Sequence, residues 1–320
     1  MNEHGAHEVA APPEMDHADE LVVVAVGGNA LARPGEPLDW ATQSGNARRA
    51  AQALASVASG WRMVLTHGNG PQVGVLALGA EATASSGGAV PLDVLDAETE
   101  GMIGYLLTQE LANALPGRDV VALVTRVVVD PSDTAFDHPS KPVGPVYDET
   151  TATDLALHHD WVVGREGTRW RRLVASPEPL TIVELSPIRL LMEAGVLVVC
   201  SGGGGVPVVP NGSGGLRGVE AVIDKDLASC VLAVALGARR LVLLTDVDAV
   251  CDGWATPAQR AIRHSSVAAL RAREFASGSM CPKVEAACRF VEQTDGVAVI
   301  GSLDEADAVV NGDAGTVITR

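Results

Sequence analysis

Short runs of apolar, β-branched residues alternate along the chain with longer stretches rich in alanine and leucine. The short runs have the length and composition of buried strands, and the longer stretches are typical of helices. This alternation predicts an α/β fold, an αβα sandwich in which helices cover both faces of a mostly parallel, open central sheet. We predict strands at 21–26, 61–66, 120–130, 196–200, 240–245 and 297–300, and helices at 41–59, 96–115, 186–194, 224–237, 282–293 and 303–309.

The alternation stops between residues 131 and 179, where prolines, aspartates, tryptophans and arginines crowd together. We interpret 131–179 as an inserted subdomain or lid that protrudes from the main fold. The glycine-rich segment 212–218 is the best candidate for a boundary between an N-terminal lobe, 21–211, and a C-terminal lobe, 212–320. Residues 1–20 are acidic and contain prolines, which predicts a flexible tail, and they lack the layout of a signal peptide.

Charge and composition exclude several classes of protein. The formal net charge is −17 and no basic stripe is present, which argues against binding to nucleic acid or to an anionic membrane surface. No apolar run approaches the roughly 20 residues that span a bilayer. The five cysteines form no C-x-x-C pair, so we expect reduced thiols in a cytoplasmic protein.

Histidines offer two weak candidates for a metal site. His4, His7 and His17 lie in the N-terminal tail, and a solvated tail is the plainer interpretation. His158 and His159 are adjacent, so their side chains would point apart on a helix.

Glycine clusters follow three of the predicted strands. They are Gly27 and Gly28 with Asn29 after the first strand, Gly68, Asn69 and Gly70 after the second, and Gly202, Gly203, Gly204 and Gly205 after a later one. In open α/β sheets, ligands bind beyond the carboxyl ends of the strands, and successive glycine N–H groups can hold an anion. A tight turn explains any one cluster, but three clusters at three strand ends favour an anionic ligand. Neither a P-loop nor a dinucleotide-binding fingerprint is present.

Lysine is scarce, with three lysines against 20 arginines. The two residue types are interchangeable on a surface, but not where a compact ammonium must contact a phosphoryl oxygen. Lys141 lies in the irregular insert, Lys225 lies between two aspartates at the start of a predicted helix, and Lys283 lies at the start of another. A solvated surface position is the alternative for each lysine. Asp226 is placed to hold Lys225 in one rotamer, and Asp224 to do the same or to cap the helix.

Ten segments, taken in order along the chain, resemble the carbamate kinases of the amino acid kinase family. They are VGGNAL, THGNGPQVG, EGMIGYLL, TRVVVDPSDTAF, KPVGP, a looser match around Trp170, CSGGGGVPVV, GVEAVIDKDLAS, LTDVDAV and GSMCPKVEAA. The resemblance covers roughly residues 21–320. The GGN and DKD elements and the final lysine are typical of the wider family, whereas KPVGP and VVVDPSDTAF are typical of carbamate kinases in particular.

The resemblance implies reversible, Mg²⁺-dependent phosphoryl transfer between ATP and carbamate, which gives ADP and carbamoyl phosphate. ATP synthesis in arginine or purine breakdown is the expected physiological direction, and supply of carbamoyl phosphate is the alternative. The resemblance also implies an N-terminal lobe that binds carbamate or carbamoyl phosphate, a C-terminal lobe that binds the nucleotide, a protruding subdomain over the acceptor site, and a homodimer.

The resemblance also assigns residue roles. Lys225 and Lys283 would hold the γ-phosphate and the leaving oxygens, Asp226 would orient both lysines, and Lys141 would meet the carbamate end. The implied substrate-binding residues are Gly27, Gly28, Asn29, Gly68, Asn69, Gly70, Gly203 and Gly204, and the implied nucleotide-binding residues are Thr245, Asp246, Val247, Ser279, Met280 and Lys283. Because carbamate is already a nucleophilic anion, positioning and charge neutralisation can do the chemistry without a general base.

Three residues depart from the family pattern. Glu100 replaces a glutamine, and its carboxylate would weaken the binding of an anion unless it faces away. Cys281 replaces a leucine, and its thiol is either reactive beside a phosphate-binding lysine or buried and inert. Ala175 replaces a proline in the insert.

Two other functions stay open at this point. A kinase for another small acid could use the same lobes, and a nucleotide-binding sensor could have lost catalysis. The presence of all three lysines and Asp226 argues against the sensor.

Overall fold

In the computed structural model of the chain, the described residues are 17, 19–28, 31–33, 35–83, 90–159, 161–273, 275 and 280–320. The strands are β1 (Leu21–Val26), β2 (Arg62–His67), β3 (Val120–Ala122), β4 (Arg126–Val129), β5 (Lys141–Tyr147), β6 (Val162–Glu166), β7 (Arg169–Val174), β8 (Pro179–Ile182), β9 (Leu197–Val199), β10 (Val206–Pro210), β11 (Leu216–Gly218), β12 (Arg240–Thr245), β13 (Cys251–Asp252), β14 (Arg260–Ala261), β15 (His264–Ser266), β16 (Val297–Ser302) and β17 (Thr316–Thr319). The helices are α1 (Trp40–Gly60), α2 (Gly70–Thr83), α3 (Leu92–Ala114), α4 (Glu149–His159), α5 (Leu185–Glu193), α6 (Lys225–Leu236), α7 (Val267–Arg271), α8 (Met280–Gln293) and α9 (Ala306–Asn311).

A mostly parallel central sheet organises the fold. Its strands within the described residues run in the order β15-β17-β16-β12-β1-β2-β9-β3, and only the β16–β17 pair is antiparallel. The side chains of β1 alternate between two apolar cores, Leu21, Val23 and Ala25 on one face and Val22, Val24 and Val26 on the other. A strand buried on both faces needs this continuous apolar composition, because helices cover the sheet on each side. The predicted αβα sandwich is confirmed.

The elements predicted from the sequence agree with the structure at all but two places, and α2, α7, β8, β10, β11, β13, β14, β15, β17 and the elements of the insert were not predicted. The strand predicted at 120–130 is wrong, because the chain leaves the central sheet after β3 and enters a second sheet, of order β11-β10-β4-β8, as β4. The helix predicted at 303–309 is a 3₁₀ turn, Leu303–Glu305, followed by α9. The whole of α2 was missed, since its sequence begins in a glycine loop.

The insert has regular structure of its own. Strands β5, β7 and β6 form a three-stranded antiparallel sheet, which α4 contacts. Val143 and Val174 of this sheet are buried against Val73 and Ala77 of α2. We call this sheet and α4 the lid. Sequence patterning missed its strands because they are short and mostly half-exposed.

The predicted lobes share one sheet, since β1 of the first pairs directly with β12 of the second. The division at 212–218 stays a prediction. Among the described residues, no helix has the length and apolar character needed to cross a membrane.

Candidate active site

The three glycine-bearing loops meet at one edge of the central sheet. Strands β1, β2 and β9 are adjacent and parallel, so their carboxyl ends lie side by side. A Cβ at Gly68 would lie 2.6 Å from the backbone nitrogen of Gly28, and a Cβ at Gly203 would lie 2.2 Å from the Asn69 amide nitrogen. The loops can approach this closely only because glycine stands at these positions. Asn29 lies outside the described residues.

The loop after β9 has an unusual backbone. Ser201, Gly203 and Gly204 have φ angles of 50°, 68° and 105°, which lie in the left-handed region that favours glycine. A Cβ at Gly202 would lie 2.3 Å from Cε1 of His67. Any side chain here would push the loop away from β2.

His67, which sequence reasoning did not select, is buried beneath this loop. Burial lowers the pKa of its ring to about 4, although the Gly68 carbonyl oxygen raises it, and the nearby charge of Lys225 lowers it as well. The ring is therefore neutral at pH 7, and the positive charge of the site comes from lysine. His67 lies inside the THGNG segment of the sequence, but no feature of that segment indicates whether its ring is buried.

Helix α6 begins at this same region with Asp224 as its cap. Oδ1 of Asp224 accepts the backbone N–H groups of Asp226 at 2.9 Å and Leu227 at 3.3 Å. The capping interpretation of Asp224 is confirmed. The cap fixes the first turn of α6, whose positive dipole end favours an anion.

Two lysines share the carboxylate of Asp226. Nζ of Lys225 donates to Oδ1 of Asp226 at 2.7 Å, and Nζ of Lys283, from α8, donates to Oδ2 at 3.2 Å. All three residues are buried. The arrangement predicted from the DKD segment is present, and Asp226 holds both ammonium groups at once.

The electrostatics of this group favour an anionic ligand. Burial raises the pKa of Asp226, but Lys225 and Lys283 lower it by more, so the carboxylate is ionised. Burial, together with the charge of Lys283, lowers the pKa of Lys225 although Asp226 raises it. Burial also acts to lower the pKa of Lys283, but Asp226, Asp224 and Asp246 together raise it above its usual value. Two lysines against one carboxylate leave positive charge in a water-poor place, where a phosphoryl oxygen would be strongly bound.

Lys141 reaches the same helix end from the lid. Its Nζ lies 2.9 Å from Oδ2 of Asp224, across 83 residues of sequence. The three lysines of the chain therefore all contact an aspartate in or next to the first turn of α6. None of the three is a solvated surface lysine.

The Glu100 carboxylate faces backbone N–H groups. Its Oε2 accepts from Thr125 at 3.0 Å, and its Oε1 accepts from Gly202 at 2.7 Å. Burial raises the pKa of Glu100, and these hydrogen bonds lower it by less. The resulting pKa is about 8. Glu100 thus joins the loop after β9 to the segment between β3 and β4, and both of its oxygens are engaged there.

Asn69 is held in place by α3. Its Nδ2 donates to Oδ1 of Asp96 at 3.0 Å and to Oγ1 of Thr99 at 2.9 Å. Burial raises the pKa of Asp96 well above its usual range, against the Asn69 bond that lowers it. Sequence reasoning found Asn69 but missed these two partners, because their spacing in α3 resembles that of ordinary helix positions.

Most of the residues predicted to bind the nucleotide lie beside this centre. Thr245, at the end of β12, is next to the glycine loop of β1 because the two strands pair directly. Asp246 and Val247 follow it, and the charge of Asp246 is close enough to raise the pKa of Lys283. Met280 begins α8, one turn before Lys283. Ser279 lies outside the described residues.

The weaker histidine candidates have other partners where the structure describes them. Within the described part of the chain, no group of three His, Cys, Asp or Glu side chains could hold a metal ion. His158 contacts the Asp154 carbonyl oxygen at 2.6 Å, and His159 pairs with Glu81 at 3.0 Å. His17 stacks on a tryptophan ring, while His4 and His7 lie outside the described residues.

The other two departures from the family pattern differ in exposure. Cys281 is exposed in the first turn of α8, so the alternative of a buried, inert thiol is wrong. Ala175 is buried, and its carbonyl oxygen accepts the N–H of Val222 at 2.9 Å.

Comparison with known proteins gives a consistent result. The sequence profile of the Amino acid kinase family matches residues 20–302. A carbamate kinase of Rhizobium meliloti is 49% identical over 301 residues, covering 93% of each chain. A carbamate kinase of Haemophilus influenzae is 47% identical over 300 residues, covering 93% of this chain and 96% of that protein. The structure of carbamate kinase from Giardia lamblia bound to AMP-PNP superposes with a TM-score of 0.84 at 39% identity, covering 94% of this chain and 98% of that one.

Proposed function

This chain belongs to the amino acid kinase family, and from that premise we propose that it catalyses reversible phosphoryl transfer between ATP and carbamate, the reaction of a carbamate kinase. It is a phosphotransferase whose acceptor is a carboxyl group. The observation that carries the proposal is the contact of Lys225 and Lys283 with one buried carboxylate, Asp226, beside three glycine loops. Relatives that carry the name carbamate kinase and match nearly the whole chain support the choice of substrate.

The two buried lysines are suited to the transferring group. In phosphoryl transfer, charge spreads over the oxygens of the moving phosphoryl group, and catalysis comes from positioning and charge neutralisation. Lys225 and Lys283 would contact these oxygens, and Asp226 would keep both ammonium groups in place. Carbamate supplies its own nucleophilic oxygen, so no residue has to remove a proton from it.

The acceptor would lie between the glycine loops and the lid. Gly28, Gly68 and Gly203 lie at the close approaches of these loops, where backbone N–H groups can reach a small anion. Both amide hydrogens of Asn69 are donated to Asp96 and Thr99, so Asn69 would hold its loop in place on the acceptor side. Lys141, held at the end of α6, would meet the carbamate end of the substrate. The other proposed acceptor-side residues are Gly27, Asn29, Gly70 and Gly204.

The nucleotide would lie on the other side of Lys283. Thr245, Asp246 and Val247 at the end of β12, with Ser279 and Met280 before Lys283, would line it. A related enzyme of known structure binds AMP-PNP, an ATP analogue, which supports a nucleotide site in this fold.

Mg²⁺ would enter with the nucleotide. This ion keeps several water ligands and is usually held by one or two carboxylates together with the phosphates of the substrate. Both oxygens of Asp226 accept lysines. Asp246 is exposed just after β12, and its Oδ1 accepts the Thr245 hydroxyl at 3.0 Å. A carboxylate oxygen together with phosphate oxygens suits Mg²⁺. The ion would neutralise part of the phosphate charge.

The cellular setting is part of the proposal. We propose ATP synthesis from carbamoyl phosphate in arginine or purine breakdown, and a homodimer, as the family resemblance implies. All five cysteines are free, which supports a reducing, cytoplasmic compartment. Light scattering of the purified protein would measure the mass of the assembly.

The deciding experiment is a coupled assay of ATP formation from ADP and carbamoyl phosphate with Mg²⁺. We expect turnover well above that of a Lys225→Ala variant. Activity no higher than this variant would contradict the proposal, and a panel of other small acids with ATP would then test the wider family reaction. Calorimetry showing ATP binding without any turnover would instead indicate a sensor.

A further inference from the structure

Asp224 makes two contacts that serve different parts of the molecule. Oδ1 accepts two backbone N–H groups in the first turn of α6, while Oδ2 accepts the ammonium of Lys141 at 2.9 Å. Lys141 belongs to β5, in the lid. One carboxylate therefore connects the lid to the helix that carries Lys225 and Asp226.

Helix capping alone does not require the second contact. A cap needs one side-chain oxygen, and asparagine caps a helix about as well as aspartate. The contact of Oδ2 with Lys141 needs an acceptor at the other position, which only the carboxylate offers. Oδ2 thus has a separate purpose from Oδ1.

Stability alone does not explain the Lys141 contact either. The side chains of Lys141 and Asp224 are 24% and 18% exposed, so the pair is partly hydrated. Ion pairs near a surface contribute little to the free energy of folding. The pair matters because it fixes the position of the Lys141 ammonium.

We propose that Asp224 is a positioning residue for the lid. It holds the Lys141 ammonium at the first turn of α6, next to the two lysines on Asp226, and so completes the anion-binding centre on the acceptor side. This inference rests on the proposed function for the identity of the acceptor. It assigns to the DKD segment a role in aligning the lid in addition to its capping role.

A charge effect would look different from a positioning effect. The three lysines of the centre face Asp224, Asp226 and the nearby Asp246, so their summed charge is zero, from +3 and −3, when all are ionised. If Asp224 acted only through its charge, its removal would make the centre more positive and tighten the binding of an anion. If it positions Lys141, its removal weakens the binding of carbamoyl phosphate although the positive charge increases.

Asp224→Asn separates the two functions of the carboxylate. Asparagine keeps an oxygen for the cap and places an NH₂ group opposite Lys141, where it cannot accept. We expect a melting temperature close to that of the wild type, a KM for ADP within about twofold, and a fall of about 10- to 100-fold in kcat/KM for carbamoyl phosphate, since small misplacements cost about this much. Asp224→Ala should also lower the melting temperature, because it removes the cap.

Asp39→Asn is the matched control. Asp39 caps α1 through the N–H of Thr42 at 2.8 Å, in the same way that Asp224 caps α6. Its replacement should leave both kinetic constants unchanged. A double-mutant cycle with Lys141→Met completes the set: once Lys141 is absent, adding Asp224→Asn should have little further effect.

Hydrogen exchange provides a readout that does not depend on activity. We expect faster exchange at 141–147 in both Asp224→Asn and Lys141→Met than in the wild type. Unchanged exchange in this segment, an additive cycle, or tighter binding of carbamoyl phosphate in Asp224→Asn would overturn the positioning role. Failure of the proposed function gives a different pattern, in which the wild type itself does not turn over carbamoyl phosphate, and the positioning role is then decided by the exchange rates.

Discussion

At the scale of single residues, the buried position of Lys225 explains why this site requires lysine rather than arginine. Its side chain is 10% exposed, and its Nζ lies 2.7 Å from Oδ1 of Asp226. A guanidinium is planar and larger than an ammonium, so arginine could not place its charge at this point without displacing Asp226 or Lys283. We therefore expect Lys225→Arg to reduce the rate of ATP formation by about 10²- to 10³-fold, the loss that follows removal of one preorganised donor.

The coupled assay measures this effect, and an exposed arginine supplies its control. Arg320 pairs with Asp295 at the surface, and Arg320→Lys should keep the wild-type rate. A Lys225→Arg variant with nearly wild-type activity would contradict the requirement for a compact ammonium at this position.

Glu100 allows a prediction about pH. Its pKa in the folded protein is about 8 and its ordinary value is 4.5, so between these values the folded chain keeps a proton that the unfolded chain has lost. Glu100 therefore makes the free energy of unfolding decrease as the pH rises from 4.5 to 8, by at most about 1.4 kcal/mol per pH unit. Denaturant unfolding at a series of pH values should show a flatter profile for Glu100→Gln.

The exposed Glu98 of the same helix is the control. Glu98→Gln should keep the wild-type slope. Equal slopes in the wild type and in Glu100→Gln would mean that Glu100 is ionised in the folded state, contrary to the expectation.

Sequence reasoning at this scale found the residues and one shared partner, Asp226, but not the other partners. The rarity of lysine identified Lys141, Lys225 and Lys283, and the structure brings them to one helix end. It could not show that Lys141 contacts Asp224, because a pairing across 83 residues depends on where the lid docks. Asp96 was missed for a similar reason, since a buried carboxylate in a helix looks like a solvated one until its neighbours are known.

At the scale of elements, the loop after β9 combines left-handed backbone with close packing. Gly203 has a φ of 68°, and a Cβ there would lie 2.2 Å from the Asn69 amide. Alanine would cost about 1–2 kcal/mol for its backbone conformation and would also displace Asn69. We expect Gly203→Ala to lose most of its activity with carbamoyl phosphate and to unfold at lower denaturant concentration.

Gly212 separates these two effects. Its φ is 78°, but a Cβ there would meet no atom within 4 Å. Gly212→Ala should therefore lose only the backbone cost of about 1–2 kcal/mol and keep its activity, as unfolding curves and the coupled assay would show. Equal loss of activity in both variants would mean that backbone strain, rather than the position of Asn69, is responsible.

Elements of the central sheet were predictable because burial dictates their composition. Strand β1 is apolar at every position, and it has the predicted bounds of 21–26. The strand predicted at 120–130 was wrong because β3 and β4 are both β-branched, while the change of sheet between them depends on Glu100 and Thr125 meeting in space. The pattern of apolar residues predicts which segments are buried. It does not predict where the chain passes from one sheet to another.

At the scale of the whole molecule, one close contact sets how the lid docks on the main fold. Gly74 of α2 lies against Gly144 of β5, and a Cβ at Gly74 would lie 2.0 Å from the Gly144 Cα. The obstacle is backbone, which cannot rotate away as a side chain can. Lys141 lies three residues before Gly144 on the same strand, so lifting β5 also moves the Lys141 ammonium from the end of α6.

We expect Gly74→Ala to raise the KM for carbamoyl phosphate by about 10²-fold and to leave the KM for ADP nearly unchanged, because only the acceptor side of the centre is displaced. Gly79 is the matched control: it lies in the interior of the same helix, and a Cβ there would meet no atom within 4 Å. Gly79→Ala should keep both kinetic constants and gain up to about 1 kcal/mol of stability, the difference in helix propensity between glycine and alanine. If Gly74→Ala instead raised the KM of both substrates equally, the lid would be a general cover for the centre rather than a part of the acceptor site.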